Sequence, residues 1–145
     1  MADAPGPNKP KLLVVDDDPT ILRTFERVFR RRYEVTTASS GAEAIGLLAR
    51  EPFDVAFVDY SMPGMTGLEL VAAMEERFPE VARAMLTAYA DLPEVAALRD
   101  RRVVAVLRKP WETGDVEAAV SRAMKVASMR RAVASLRSQV GGEEP

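Results

Sequence analysis

Four places in this sequence hold residues whose types could act together: Asp16-Asp17-Asp18, Asp59, Thr87 and the pair Lys109-Pro110. Carboxylates brought close repel one another unless a cation lies among them. Oxygen donors without imidazole or thiolate select a hard ion, and Mg²⁺ is the expected one. The sequence has no histidine and no cysteine. That removes Ser-His and Cys-His nucleophile pairs, most zinc sites and any disulfide framework. What remains is chemistry on carboxylates, hydroxyls and Lys or Arg. A carboxylate can act as a nucleophile and form an aspartyl phosphate. The charge developing on a transferring phosphoryl group then needs a metal ion, a cation such as lysine, and hydrogen-bond donors. Asp17, Asp59, Lys109 and Thr87 supply that set, and Asp16 would hold a metal-bound water.

Such a set works only if the chain carries its members to one place. Hydrophobic periodicity alternates between short apolar runs and helical repeats. Leu12–Val15 and Val55–Val58 are continuous apolar runs, as buried parallel strands require. Tyr33–Ala38 is β-rich and half-alternating, Ala84–Leu86 is a weaker strand with Arg83 at its start, and Val103–Leu107 is another strong one. Between them, Ile21, Leu22, Phe25, Val28 and Phe29 repeat at helical spacing, and Ala42, Ile45 and Ala49 share one face of a helix over Gly41–Arg50. Leu68, Val71, Met74 and Phe78 mark a helix ended by Pro79. A short helix follows Pro93 through Val95 and Leu98, and a long one starts near Thr113. Strand then helix, five times over with short connections, predicts an α/β domain. It is a doubly wound five-stranded parallel sheet with five helices, the last one extended. Ligands of such sheets bind at the carboxyl ends of the strands. Asp16-Asp17-Asp18, Asp59, Thr87 and Lys109 all fall at those ends.

Composition agrees with a single domain. At 145 residues, 48% hydrophobic and 29% charged, the chain can bury a core and remain water-soluble. No apolar run approaches the ~20 residues that span a bilayer. The Pro-rich start, residues 1–9, reads as a disordered lead-in and not as a signal peptide. A net charge of −2 gives no reason to expect direct nucleic-acid binding. Without cysteine, a reducing cytoplasm is the default compartment.

The motifs resemble those of a known family. Leu12-Leu13-Val14-Val15-Asp16-Asp17-Asp18-Pro19 is similar to the acidic-pair strand of response-regulator receiver domains of two-component signal transduction. Val58-Asp59-Tyr60-Ser61-Met62-Pro63-Gly64-Met65-Thr66-Gly67 resembles their phosphoacceptor strand and loop, and Leu86-Thr87-Ala88 and Lys109-Pro110 match the remaining two motifs. Four motifs in order are a specific signal where one alone is not. The resemblance covers residues 10 to 125 and implies a flavodoxin-like sheet. It also implies that Asp59 accepts phosphate from a histidine kinase or phosphotransfer protein. Asp17, Asp59 and the backbone carbonyl of Ser61 would bind Mg²⁺ directly, with Asp16 beside them. Lys109 would pair with the acceptor carboxylate and then with the phosphoryl group. Thr87 would donate its hydroxyl to a phosphoryl oxygen and move on activation. The Lys109–Pro110 bond is expected to be cis. One position departs from the pattern. Many receivers carry Tyr or Phe three residues before the lysine, where this chain has Val106, so the aromatic half of the usual switch is missing; Tyr89 lies nearby in sequence and could stand in.

Plainer roles fit several neighbours. Asp18 before Pro19 is placed to cap a helix. Gly64 and Gly67 serve backbone geometry. Arg30-Arg31-Arg32 and the stretch from Arg99 to Arg102 read as solvated helix ends. Trp111 is expected to pack over the last helix. Two competing functions use the same residues. Asp16-Asp17-Asp18-Pro19-Thr20 also fits the Asp-x-Asp-x-Thr motif of haloacid-dehalogenase-like phosphatases. There Asp16 would be the nucleophile and Asp18 the acid, but a strand ending in Asp59 would have no use. A pseudo-receiver, a binding module on the same fold that is not phosphorylated, stays open because of Val106. In the receiver reading the chain is a signalling switch and not an enzyme.

The last helix runs past the domain. Val116, Val120, Ala123 and Ala127 form the face that packs on the sheet, and a second stripe emerges at Val126, Met129, Val133, Leu136 and Val140. Its 3-4 spacing is a heptad seam, so residues 126–140 are expected to be a helical extension able to form a coiled coil. A parallel homodimer held partly by it would change tightness on phosphorylation; folding back on the domain is the alternative. Gly141-Gly142 opens a flexible end over 141–145. No output domain follows in this sequence, so the chain reads as a stand-alone receiver or as the receiver portion of a longer protein.

Overall fold

The computed structural model describes residues 9–89, 92–98 and 103–141. The element order is β1 (Lys11–Val15), α1 (Pro19–Phe29), β2 (Glu34–Ala38), α2 (Gly41–Arg50), β3 (Val55–Asp59), α3 (Gly67–Arg77), β4 (Ala82–Thr87), α4 (Pro93–Ala96), β5 (Ala105–Arg108) and α5 (Thr113–Gly141). All strand pairs are parallel, in the order β2-β1-β3-β4-β5. The chain direction across the sheet reverses beside β1, so β1 and β3 sit at the centre with their carboxyl ends side by side.

Side-chain alternation along the strands divides the core into two layers. Leu12, Val14, Val55, Phe57 and Leu86 face α1 and α5, where they meet Phe25, Phe29, Val116, Val120 and Ala123. Leu13, Val15, Ala56, Val58 and Met85 face the other way, onto Leu48 of α2 and Leu70, Val71 and Met74 of α3. Every residue of β3 is buried, which explains the unbroken apolar run that ends in Asp59: a central strand has no solvent face for polar residues to occupy.

Helix starts follow local chemistry. Asp18 caps α1, accepting the Thr20 N–H at 2.9 Å, with Pro19 in the first helical position. Ser40 caps α2 by accepting from the Glu43 N–H. Thr66 and Glu69 form a reciprocal capping box at α3. Each such cap contributes on the order of 1 kcal/mol.

Several boundaries differ from the sequence expectation. β4 begins at Ala82, two residues early, because Arg83 is buried with its guanidinium donating to the Val81 carbonyl, so a charged residue sits inside the strand. β5 begins at Ala105; Val103 is buried but lies before the strand. Trp111 packs against the core layer that α1 and α5 share, and it also meets α1 directly: its ring lies 5.3 Å from Phe25 and 5.7 Å from Phe29, centroid to centroid. Arg32 reaches α5 through an ion pair with Glu117, so it ties the turn between α1 and β2 to that helix. Val28 is 42% exposed, on the outer side of α1. The lead-in before Lys9, the stretch from Arg99 to Arg102, the side chain of Val140 and residues 142–145 lie outside the described residues. Among the described residues no helix is long and apolar enough to cross a membrane.

Candidate functional site

The central strands deliver the acids. β1 and β3 pair in register up to Val15 and Val58, so Asp16 and Asp59 leave the sheet together. Each residue of the trio Asp16, Asp17 and Asp59 offers a carboxylate oxygen within 4.8 Å of the others. Asp16 and Asp59 are buried and Asp17 is exposed. The site therefore has a sheltered floor and one open side.

Lys109 completes the floor. Its ammonium donates to Asp16 Oδ2 and to Asp59 Oδ1, each at 2.7 Å. The other Asp16 oxygen accepts the Asp18 N–H at 3.0 Å. Both oxygens of Asp16 are thus engaged by the protein, while Asp17 and Asp59 retain capacity for an outside cation. The lysine arrives from the end of β5, where its own N–H donates to the Thr87 carbonyl at 2.9 Å. The Lys109–Pro110 peptide is cis.

The charges shift one another. Burial raises the pKa of Asp59 above the ordinary carboxylate value. The Lys109 hydrogen bond works against this, and the nearby charges of Asp16 and Asp17 add to the rise. For Lys109, burial pulls the pKa down, but hydrogen bonds and charge from Asp16 and Asp59 prevail and the net direction is upward. The rise at Asp59 is thus mainly the cost of burial, with the neighbouring acids adding to it, while three carboxylates face one lysine cation in the cluster.

Thr87 closes β4 and is 1% exposed. Its hydroxyl oxygen accepts the Tyr89 N–H at 2.8 Å, which leaves the hydroxyl proton available to a partner. Ser61 and Met62 lie in the loop after β3; Ser61 is exposed and Met62 buried. Gly64 takes a left-handed φ of 76° in that loop. Gly67 is needed for a different reason: a Cβ there would lie 2.2 Å from the Asp59 carbonyl oxygen. Its N–H donates to the Tyr60 carbonyl, so the loop is drawn against the backbone that carries Asp59.

Asp16, Asp17, Asp59, Thr87 and Lys109 lie at one end of the sheet, whereas Val106 lies inside β5, opposite Met85. Val106 is half-buried in β5 and packs with the layer that faces α2 and α3, so no aromatic ring occupies that position. Tyr89 is 55% exposed and its ring stands edge-on to Tyr60 at 6.3 Å. Sequence reasoning did not find Tyr60; its place directly after Asp59 was the available signal. It also missed that Lys109 bridges two carboxylates, a contact between residues 93 positions apart.

The donor set fits a hard divalent cation: carboxylate oxygens only, clustered, with one side open and negative charge in excess. Comparison with known proteins decides the family. The family model described as "Response regulator receiver domain" matches residues 12–121. The chain belongs to the response-regulator receiver family. It is similar to the response regulator protein PilR of Pseudomonas aeruginosa, 32% identical over 139 residues that make up 95% of this chain and 31% of PilR. It is also similar to the DNA-binding transcriptional regulator NtrC of Escherichia coli, at 34% over 112 residues covering 77% of this chain and 24% of NtrC. This receiver therefore spans about a third or less of the length of these relatives. Among solved structures it resembles a response regulator receiver domain protein from Clostridium thermocellum, with TM-score 0.77 and 28% identity over 83% of this chain and 98% of that one. The chemotaxis protein CheY4 of Vibrio cholerae gives TM-score 0.71 and 30% identity over 79% and 98%. Receivers are signalling switches, which is the function the family assigns to this chain.

Proposed function

We propose that this receiver accepts a phosphoryl group on Asp59 from a histidine kinase or phosphotransfer protein in the cytoplasm, and that Mg²⁺ is the cation required. The observation that carries the reading is the Asp16–Lys109–Asp59 bridge at the mouth of β1 and β3, with Asp17 on its open side. An oxygen of Asp59 attacks phosphorus, the bond to the donor nitrogen breaks, and the electron pair leaves with the imidazole. Asp17, Asp59 and the Ser61 backbone carbonyl would hold Mg²⁺ directly, with Asp16 beside them; the ion supplies charge neutralisation on the phosphoryl oxygens. Lys109 transfers one of its hydrogen bonds from the Asp59 carboxylate to a phosphoryl oxygen. Thr87 turns its free hydroxyl proton toward another, while its oxygen remains able to accept the Tyr89 N–H. With Val106 in place of an aromatic, the ring best placed to respond is Tyr89, because its backbone N–H is bonded to the Thr87 hydroxyl and would follow that side chain if it moves.

Residues 10–125 form the receiver and 126–140 a helical extension able to join a coiled coil. Two receivers pair through the face of α4 and α5, and phosphorylation tightens that pair. Val95 and Val116 are interior residues that seat those helices, so the contacts fall to their exposed neighbours, Asp115 and Arg122 among them. The phosphatase reading draws no support from Asp16, which is 1% exposed with both oxygens engaged. That leaves it poorly placed as a nucleophile.

Titration of Trp111 fluorescence with Mg²⁺, then with beryllofluoride, tests the proposal against the pseudo-receiver. The ring sits two residues past Lys109, so a saturable response to both reagents is expected, lost in Asp17→Ala. No response in the parent chain would favour a binding module that is not phosphorylated.

A further inference from the structure

The helical extension carries an uncovered apolar stripe that phosphoryl chemistry does not use, beside an exposed Arg130 that donates to the Pro79 carbonyl at 3.1 Å. α5 continues to Gly141 and does not fold back: Met129 is 68% exposed, Leu136 62% and Val133 46%, with Val126 half-buried at the root of the stripe. Arg130 and Arg137 flank the shallow groove that these side chains form. The charged residues between Ala118 and Gly141 are Arg122, Lys125, Arg130, Arg131 and Arg137, and none is acidic.

That charge pattern selects the occupant. With Val126 and Val133 at a positions and Met129 and Leu136 at d, Lys125 falls at g and Arg130 and Arg137 at e. A parallel pair of two such helices, the arrangement expected from the seam alone, sets Lys125 of one copy against Arg130 of the other. An antiparallel pair sets Arg130 against Arg137. Either way the charges that choose coiled-coil partners repel. A membrane surface is the poorer match as well. The stripe is one seam wide, with Ser128, Ala132, Ala134 and Ser135 outside it, and it holds no aromatic ring, whereas interfacial helices present a broad apolar face with Trp or Phe.

We propose that the stripe Val126-Met129-Val133-Leu136 is a docking surface for an acidic amphipathic helix of another protein, which completes a two-stranded coil by placing Glu or Asp against Lys125, Arg130 and Arg137. The receiver face pairs copies of this chain; the extension recruits a different one.

The test uses the full chain and two fluorescein-labelled synthetic heptad peptides. Both carry Leu at a and d; one has Glu and the other Lys at e and g. Anisotropy at low salt should show the Glu peptide binding about tenfold or more tighter than the Lys peptide, from a few charge pairs that each change sign. The difference should shrink as salt is raised. Leu136→Ser should weaken the Glu peptide. The double charge reversal Lys125→Glu with Arg137→Glu, both exposed, should invert the preference without altering the circular dichroism spectrum. Equal binding of the two peptides, or binding of neither, overturns the proposal. So does sedimentation showing self-association that Leu136→Ser abolishes, which assigns the stripe to a second copy. Capture by phosphatidylglycerol vesicles that the Glu peptide does not relieve would assign it to a membrane instead, and also overturns it.

Discussion

Replacing Lys109 by methionine removes the cation that holds Asp16 and Asp59 together and keeps a side chain of similar length. In the metal-free protein both carboxylates are almost wholly sheltered, at 1% and 6% side-chain exposure, and the lysine is 22% exposed. Each of its two hydrogen bonds to a charged group is worth about 1.5–3 kcal/mol, and removing one partner of a buried cluster leaves the rest uncompensated. The loss has a ceiling, because Asp59 can escape by taking up a proton. From its ordinary value of 3.8, protonation at pH 7 costs about 4 kcal/mol, at about 1.4 kcal/mol per pH unit. Burial has already raised that pKa, so the ceiling lies lower. We therefore expect Lys109→Met to lose about 2–3 kcal/mol at pH 7 in EDTA, measured by urea unfolding followed by circular dichroism. The sign of its pH dependence is fixed. Without the lysine the folded-state pKa of Asp59 rises further, so the folded state binds a proton more tightly than the unfolded chain, and stability is regained as pH falls through that raised value. The deficit relative to the parent should shrink at pH 5. A deficit equal at both pH values, or one under about 0.5 kcal/mol, which is the size of a solvent-screened surface pair, would refute the account of the bridge.

Other variants test separate parts of the account. Asp59→Asn should be no less stable than the parent at pH 7 in EDTA, because burial raises the Asp59 pKa and the ionised form opposes folding above it; thermal melts with and without Mg²⁺ check this, and the ion should stabilise the parent more than the variant. Lys109→Arg keeps the charge but changes its shape and reach, so unfolding should shift by less than about 1 kcal/mol while phosphorylation-dependent assembly, read by sedimentation, is impaired. Gly67→Ala must displace backbone at Asp59 to admit its Cβ; a stability loss of about 2 kcal/mol or more should come with slower phosphorylation from acetyl phosphate. Phe25→Ala, at the meeting of three other rings, should lose about 3–5 kcal/mol and leave the phosphorylation site chemically competent in whatever fraction stays folded.

What the sequence disclosed depended on how local the cause was. The unbroken apolar runs of β1 and β3 located the strands, and their terminal acids located the site, because a fully buried strand excludes polar residues until it ends. Asp18 was legible as a cap because capping is decided within two or three residues. β4 was read short because a buried arginine inside a strand depends on its carbonyl partner at Val81, which only the folded chain supplies. The contact of Trp111 with α1 was not legible for the same reason: α1 lies far away in sequence, and nothing near position 111 points to Phe25 or Phe29. The Lys109 bridge to Asp16 and the Tyr60–Tyr89 contact belong to this class too. The charges flanking the last stripe were in the sequence throughout, but their meaning depended on the structure leaving that stripe facing solvent.

The central claim is that Asp59 is the residue that receives phosphate. Incubation of the chain with acetyl phosphate and Mg²⁺, followed by borohydride reduction, converts a phosphorylated aspartate to homoserine, which peptide mass spectrometry can place. The account predicts homoserine at position 59, absent when Mg²⁺ is chelated and absent in Asp59→Asn. Homoserine at position 16, or retention of acid-stable, alkali-labile phosphate in Asp59→Asn, would contradict it.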